Sequence, residues 1–240
     1  MDLAKTDNLL NIFFKQYTKQ NSKEIFLNWL KFPEKNYSWE ETKVSIIKLA
    51  KELKKNLNKG ERCLLVSENR PEWLISDIAI MLAGGITVPS YITYTEKDYE
   101  FIIDDCEPTI IIVSNQILFN KLKDVIPKKK FIKKIVLFDE IKKNILSDQI
   151  IELKNILSST LNFDENNPII DLNRKDPACI IYTSGTGGNP KGVVLSHGGI
   201  LSNCEGAINL IKPILSSRTR FLTWLPLSHS YEHTVQFVQI

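Results

Sequence analysis

The sequence predicts an α/β protein with a mostly parallel sheet covered by helices. Three short runs, CLLVS (63–67), TIIIV (109–113) and IVLF (135–138), are apolar at consecutive positions. Such runs suit strands buried on both faces. Longer segments between them carry apolar residues at helical spacing. Strand-like and helix-like segments alternate along the chain, and that alternation gives crossover connections and parallel pairing.

In chain order, residues 8–19 read as a first helix and 24–30 as a strand. Ser38-Trp39-Glu40-Glu41 has the form of a capping box, in which the Ser38 hydroxyl bonds the Glu41 amide while Glu41 reaches back. The next helix carries Ile47, Ala50, Leu53 and Leu57 at helical spacing. Asn69-Arg70-Pro71 opens another, with Pro71 tolerated in its first turn, and Gly84-Gly85 ends it. Residues 86–88 read as a strand ended by Pro89, and 95–105 and 117–126 as helices. Residues 139–173 are less regular, with a helix expected over 147–158 and a subdomain boundary near 140–175. Residues 178–182 (ACIIY) read as a strand feeding a glycine-rich loop, with 193–195 as its hairpin partner. Residues 198–211 then read as a helix, 221–224 as a strand and 231–240 as the start of a last helix. The pattern stops at Ile240 without a cap, which reads as the mark of a partial domain.

Composition narrows the class. The 240 residues carry a net charge of +3, with 43% hydrophobic and 25% charged residues. That is ordinary for a globular protein and too weakly basic to imply nucleic acid. The lysines at 128–130 and 133–134 read as a solvated helix end leading into a strand rather than as an anionic-surface patch. Cys63, Cys106, Cys179 and Cys204 are far apart and form no CxxC pair, so no zinc or redox motif is suggested and a reducing cytoplasm fits. No signal peptide is read in MDLAKTDNLL, and no stretch approaches the roughly 18 apolar residues that span a bilayer.

The chemistry concentrates in Thr183-Ser184-Gly185-Thr186-Gly187-Gly188-Asn189-Pro190-Lys191-Gly192. Glycines let the backbone approach a ligand, successive amides can converge on an anion, three hydroxyls add donors, and Lys191 adds a mobile positive charge. A Walker A loop does not fit, since Pro190 stands five residues after Gly185 and Gly192 follows Lys191; GxGxxG fails at the same proline. The plain alternative is a flexible hairpin loop, which requires neither the hydroxyl cluster nor the Pro-Lys-Gly ending.

YTSGTGGNPKGVVLSH resembles the signature loop of the adenylate-forming (AMP-binding) superfamily of acyl-CoA synthetases, peptide-synthetase adenylation domains and luciferases. Gly187 stands where that loop commonly has a second Thr or Ser. SENRPEWLISDIAIMLAGGITVPSY (67–91) and TWLPLSHSYEH (223–233) resemble two further family segments, the second in its long-chain fatty acyl-CoA synthetase form. The resemblance implies a partial N-terminal AMP-binding domain over residues 1–240, without the small C-terminal domain. It also implies a two-step reaction, in which a fatty carboxylate and ATP give acyl-AMP and coenzyme A then displaces AMP. It places Thr183, Ser184, Gly185, Thr186, Gly187, Gly188 and Lys191 on the phosphates, with Mg²⁺ assisting and no metal ligand assigned to this chain. Lys191 and His229 are its catalytic candidates. Glu232 is taken as nucleotide-binding; whether it orients His229 or simply lies on a helix face is open. A structural histidine is the other reading of His229.

Trp224 reads as core or as acyl-tunnel wall, and His197 as helping to cap the helix after the loop. His229-Ser230-Tyr231-Glu232-His233 also spells HxxEH, a zinc-protease pattern, but Pro226 and the short run beyond His233 leave little room for a helix bearing a third ligand. Two rivals share these residues: a non-catalytic nucleotide-binding remnant, and a fatty acyl-AMP ligase that passes the acyl group to a carrier protein. Partners are thus a fatty acid and a missing C-terminal part, with no nucleic acid and with room for peripheral membrane association.

Overall fold

The computed structural model describes residues 2–142, 147–160, 170–183, 190–216 and 219–240. β1 (Ile25–Leu27) and β2 (Tyr37–Ser38) form a small antiparallel ribbon. Among the described residues the main sheet has seven strands: β3 (Arg62–Val66), β4 (Ile86–Ser90), β5 (Ile110–Val113), β6 (Lys134–Leu137), β7 (Ile150–Glu152), β8 (Pro177–Thr183) and β9 (Lys191–Ser196). Their order is β7-β6-β5-β3-β4-β8-β9, and every pairing is parallel except the β8–β9 hairpin. The predicted fold class holds.

Eight helices cover this sheet among the described residues: α1 (Leu9–Tyr17), α2 (Trp39–Leu53), α3 (Pro71–Leu82), α4 (Glu96–Cys106), α5 (Gln116–Leu122), α6 (Leu153–Ser158), α7 (His197–Ile211) and α8 (Ser230–Gln239). Local chemistry explains their starts. Ser38 and Glu41 complete the expected box, with Ser38 N–H donating to Glu41 Oε2 at 2.8 Å and Glu41 N–H to Ser38 Oγ at 3.2 Å. Thr95 and Asp98 build a second box at α4. Asn8, Asn115 and Ser196 cap α1, α5 and α7 with their side-chain oxygens. Pro71 stands in the first turn of α3, and Gly84, at φ +93°, supplies the left-handed step that ends it.

Side-chain alternation on the buried strands divides the core in two. Cys63 and Leu65 of β3 join a layer with α1, α2, α3, α7 and α8; Leu64 and Val66 join the opposite layer with α4 and α5. α3 is buried almost all round, as an apolar helix between neighbours must be. All four cysteines are buried free thiols. No helix among the described residues is long and apolar enough to cross a membrane.

Several expectations are corrected. β4 runs through Pro89 to Ser90. It pairs with β3 along its whole length but meets β8 only at Thr87↔Cys179, so the proline sits beyond the ladder toward β8. Residues 147–158 are not one helix, because Ile150–Glu152 peels off as strand β7 beside β6 before α6 begins. Residues 221–224 form no strand, and no ladder neighbour flanks them among the described residues. Ile47 is only half-buried; the inward face of α2 is Thr42, Ser45, Ile46, Leu49, Ala50 and Leu53.

Candidate active site at the carboxyl edge of the sheet

β8 and β9 are the two stems of the glycine-rich loop. Their register pairs Tyr182 with Gly192 and, at the open end, Thr183 with Lys191. The stem is fixed from below. The Tyr182 hydroxyl donates to Asp105 Oδ2 at 2.5 Å, and its carbonyl accepts the Tyr94 hydroxyl at 3.4 Å. Burial first, and then the Asp105 bond, raise the Tyr182 phenol well above its ordinary value. A Cβ on Gly192 would come within 3.0 Å of Ile180 Cγ2 and 3.2 Å of Tyr182 Cζ, so this position is kept bare by the tyrosine ring. Thr183 and Lys191 are both exposed at the mouth. Ser184, Gly185, Thr186, Gly187 and Gly188 lie outside the described residues.

β8 is parallel to β4, and β4 to β3, so Thr183 stands on the same sheet edge as the residues following Val66. This carboxyl edge is where open α/β sheets bind ligands. Asn69 stands there and clamps the later segment, donating from Nδ2 to the Leu225 carbonyl at 2.7 Å and accepting the Leu227 N–H at Oδ1 at 3.0 Å. Arg70, next in sequence, is buried between the rings of Trp29 and Phe138 and paired with Glu72 and Asp139, which holds the β3–α3 turn. The clamp brings residues 225–229 to the edge that carries the loop stem.

His229 then caps α8. Its Nδ1 accepts the Tyr231 N–H at 3.2 Å, and the residue is exposed. In the neutral ring, acceptance at Nδ1 puts the proton on Nε2, an N–H donor for which no partner is found among the described residues. Glu232 does not bond His229. It is buried beside Thr223, its Oε1 has no partner among the described residues, and burial first, opposed by Thr223, raises its carboxyl. Of the two open readings of Glu232, orienting His229 does not fit; the residue lies on the inward face of α8.

The HxxEH pattern does not gather a metal. His233 is buried with its Nε2 2.8 Å from Asp77 Oδ2, while His229 is the exposed N-cap, and no group of three His, Cys, Asp or Glu side chains among the described residues could hold an ion. His197 is not the cap of α7; Ser196 is. His197 opens that helix, buried, with Nδ1 accepting the Leu9 N–H at 3.3 Å, and burial lowers its pKa to about 4 against the pull of Asp176 and Asp77. Trp224 is not core, being 74% exposed. Asn69 and Asp77 were not singled out as functional in the sequence, and His233 only as part of the HxxEH pattern. Their only signals are polar residues beside or inside apolar helices.

Fold and edge together define an α/β protein that presents Thr183, Lys191 and the segment clamped by Asn69 at the carboxyl side of a mostly parallel sheet. A family profile described as AMP-binding enzyme matches residues 13–239, and the chain belongs to that family. It is 30% identical over 215 residues to long chain acyl-CoA synthetase 3 of Arabidopsis thaliana, covering 83% of this chain and 32% of that protein. Fatty acyl-CoA synthetase A of Dictyostelium discoideum is 32% identical over 185 residues, covering 75% of this chain and 27% of the other. The chain therefore spans a third or less of the length of these relatives. Among solved structures, a putative long-chain-fatty-acid CoA ligase from Rhodopseudomonas palustris superposes with a TM-score of 0.80 at 18% identity, over 98% of this chain and 56% of that one. ATP-bound MatB from the same organism gives 0.74 at 22% identity, over 96% of this chain and 42% of that one, and these likenesses bear on the fold.

Proposed function

We propose that this chain supplies the triphosphate-gripping hairpin of an ATP-dependent enzyme that activates a long-chain fatty acid as acyl-AMP and then as acyl-CoA. The observation that carries the reading is the Thr183↔Lys191 rung at the carboxyl edge, in a member of the AMP-binding family whose relatives are named for acyl-CoA synthesis. The difficulty of the first step is repulsion between a carboxylate and a polyanion. The hydroxyls of Thr183, Ser184 and Thr186, the amides of the loop glycines, and Lys191 would take up charge as pyrophosphate departs. His229, with its proton on Nε2, would donate to the carboxylate or an α-phosphate oxygen as the two approach. Mg²⁺ would screen the phosphates in such a reaction. The described residues of this chain offer no carboxylate or imidazole cluster for it, so the chain's own share of neutralisation is Lys191 and the loop donors.

The chain works in this reading as part of a larger fold. Val193 and Val194 on edge strand β9 are 44% and 58% exposed, and Leu210, Leu222, Trp224 and Tyr231 are more exposed still. Bare apolar side chains on an edge strand support cover by further polypeptide. The test is ATP–pyrophosphate exchange with palmitate. The chain alone should show no exchange above background, and exchange should appear in a full-length form carrying this segment. In that form Lys191→Ala should slow adenylation while sparing thioester formation from supplied acyl-AMP. Equal losses in both half-reactions would make Lys191 structural, and transfer to a carrier protein but not to coenzyme A would favour an acyl-AMP ligase.

A further inference from the structure

A carboxylate and an imidazole are buried face to face between α3 and α8. His233 Nε2 lies 2.8 Å from Asp77 Oδ2, and both side chains are essentially inaccessible. The imidazole is boxed in by Trp73, edge-on at 5.4 Å between ring centroids, by Phe237 at 5.7 Å, and by Cys179 of β8. Desolvation opposes a charge there, but Asp77 and the Cys179 contact outweigh it, so the His233 pKa is raised well above the ordinary value. Asp77 Oδ1 has no partner among the described residues. Buried pairs are weak sources of stability, and apolar replacements of similar size often hold a fold as well. Sliding α8 along α3 would part these two buried polar side chains and leave both without their 2.8 Å partner, which disfavours any other register.

That register matters one turn away. The His233 N–H donates to the His229 carbonyl at 2.9 Å, so the residue anchored by Asp77 is bonded directly to the residue presented at the carboxyl edge. On the other side of His229, Asn69 holds Leu225 and Leu227. His229 thus sits between two anchors, one on each flank.

We propose that Asp77 and His233 form a positioning pair that fixes α8 on α3 and thereby aims the His229 ring at the phosphate-binding edge. The pair does not touch substrate. Its value for chemistry rests on the reading of His229 given above, while its effect on His229 geometry does not.

The test uses the 240-residue chain with the double replacement Asp77→Leu/His233→Leu, which leaves no unpaired buried charge, and with His233→Gln, which keeps a donor toward Asp77. Hydrogen exchange is read at the Tyr231 amide, bonded to His229 Nδ1, and at core amides of β3 and β5. The His229 ring signal is followed by NMR during titration with ATP. The double variant should keep its thermal midpoint within a few degrees, yet exchange at Tyr231 roughly tenfold faster with β3 and β5 unchanged, and should lose most of the His229 response to ATP. His233→Gln should restore both readouts. Unchanged Tyr231 exchange in the double variant overturns the proposal. So does faster exchange spread evenly over β3 and β5, or failure of His233→Gln to restore a folded protein's Tyr231 protection. If ATP moves nothing in the unaltered chain, the phosphate reading falls, and the exchange comparison still decides the pair.

Discussion

Thr183 and Lys191 face each other across the last described rung of the β8–β9 hairpin, and the glycine-rich loop springs from that rung. Lys191 is exposed, and among the described residues no acidic group pairs with it. A charge-assisted bond to a phosphate contributes about 1.5–3 kcal/mol net. Lys191→Ala should therefore weaken tripolyphosphate binding roughly tenfold or more in calorimetric titration, with the unfolding midpoint unchanged. A shift in stability with no change in binding would make this lysine part of the fold alone.

Gly192 and Gly206 should respond oppositely to alanine. At Gly192 the new methyl meets Ile180 and the Tyr182 ring, whose hydroxyl is held by Asp105. That overpacking should cost about 1–3 kcal/mol. At Gly206, inside α7, nothing lies within 4 Å of the added carbon, and removing a mid-helix glycine should stabilise by about 0.5–1 kcal/mol. Urea unfolding of the two variants distinguishes them by sign.

His197 should make the protein acid-sensitive. Burial holds it neutral in the fold, with its pKa lowered to about 4. As pH falls through 6.5 the unfolded chain takes up a proton that the folded chain refuses, so stability falls between about pH 6.5 and pH 4. His233 has the opposite sign: its raised pKa gives stability that is full below about pH 6.5 and is lost as pH rises through the folded value. Unfolding midpoints of His197→Asn across pH 4–7 should fall less steeply than those of the unaltered chain.

Asn69→Ala should loosen the segment carrying His229 without unravelling the sheet. It strips the partner from the Leu225 carbonyl and the Leu227 N–H at once, a loss of about 1–3 kcal/mol. Trypsin should then cut faster after Arg220, which is exposed just ahead of the clamped stretch. Equal cleavage rates would show that the clamp does not order this segment.

Much of the scaffold could be read residue by residue. β3, β5 and β6 announced themselves because parallel strands covered on both faces need unbroken apolar runs, and the Ser38–Glu41 box is a local device whose partners are three residues apart. β7 was hidden because Ile150-Ile151-Glu152 is too short to show a period beside the helical pattern of α6. Phe221–Trp224 looked like a strand because its residues favour one, but a strand exists only with a ladder partner, and none flanks it among the described residues. The loop stood out in the sequence because its glycines, hydroxyls and lysine are contiguous. The supports of His229 were not, since Asn69 acts across 158 positions and Asp77 across 156, and a lone polar residue in an apolar helix does not name its partner.

Amide NMR of the ¹⁵N-labelled chain during titration with tripolyphosphate and with ATP tests the phosphate grip most directly. The account predicts saturable shifts at the amides of residues 183–192, shared by both ligands and lost in Lys191→Ala. Shifts confined to another surface, with residues 183–192 unmoved at saturating ligand, would contradict it.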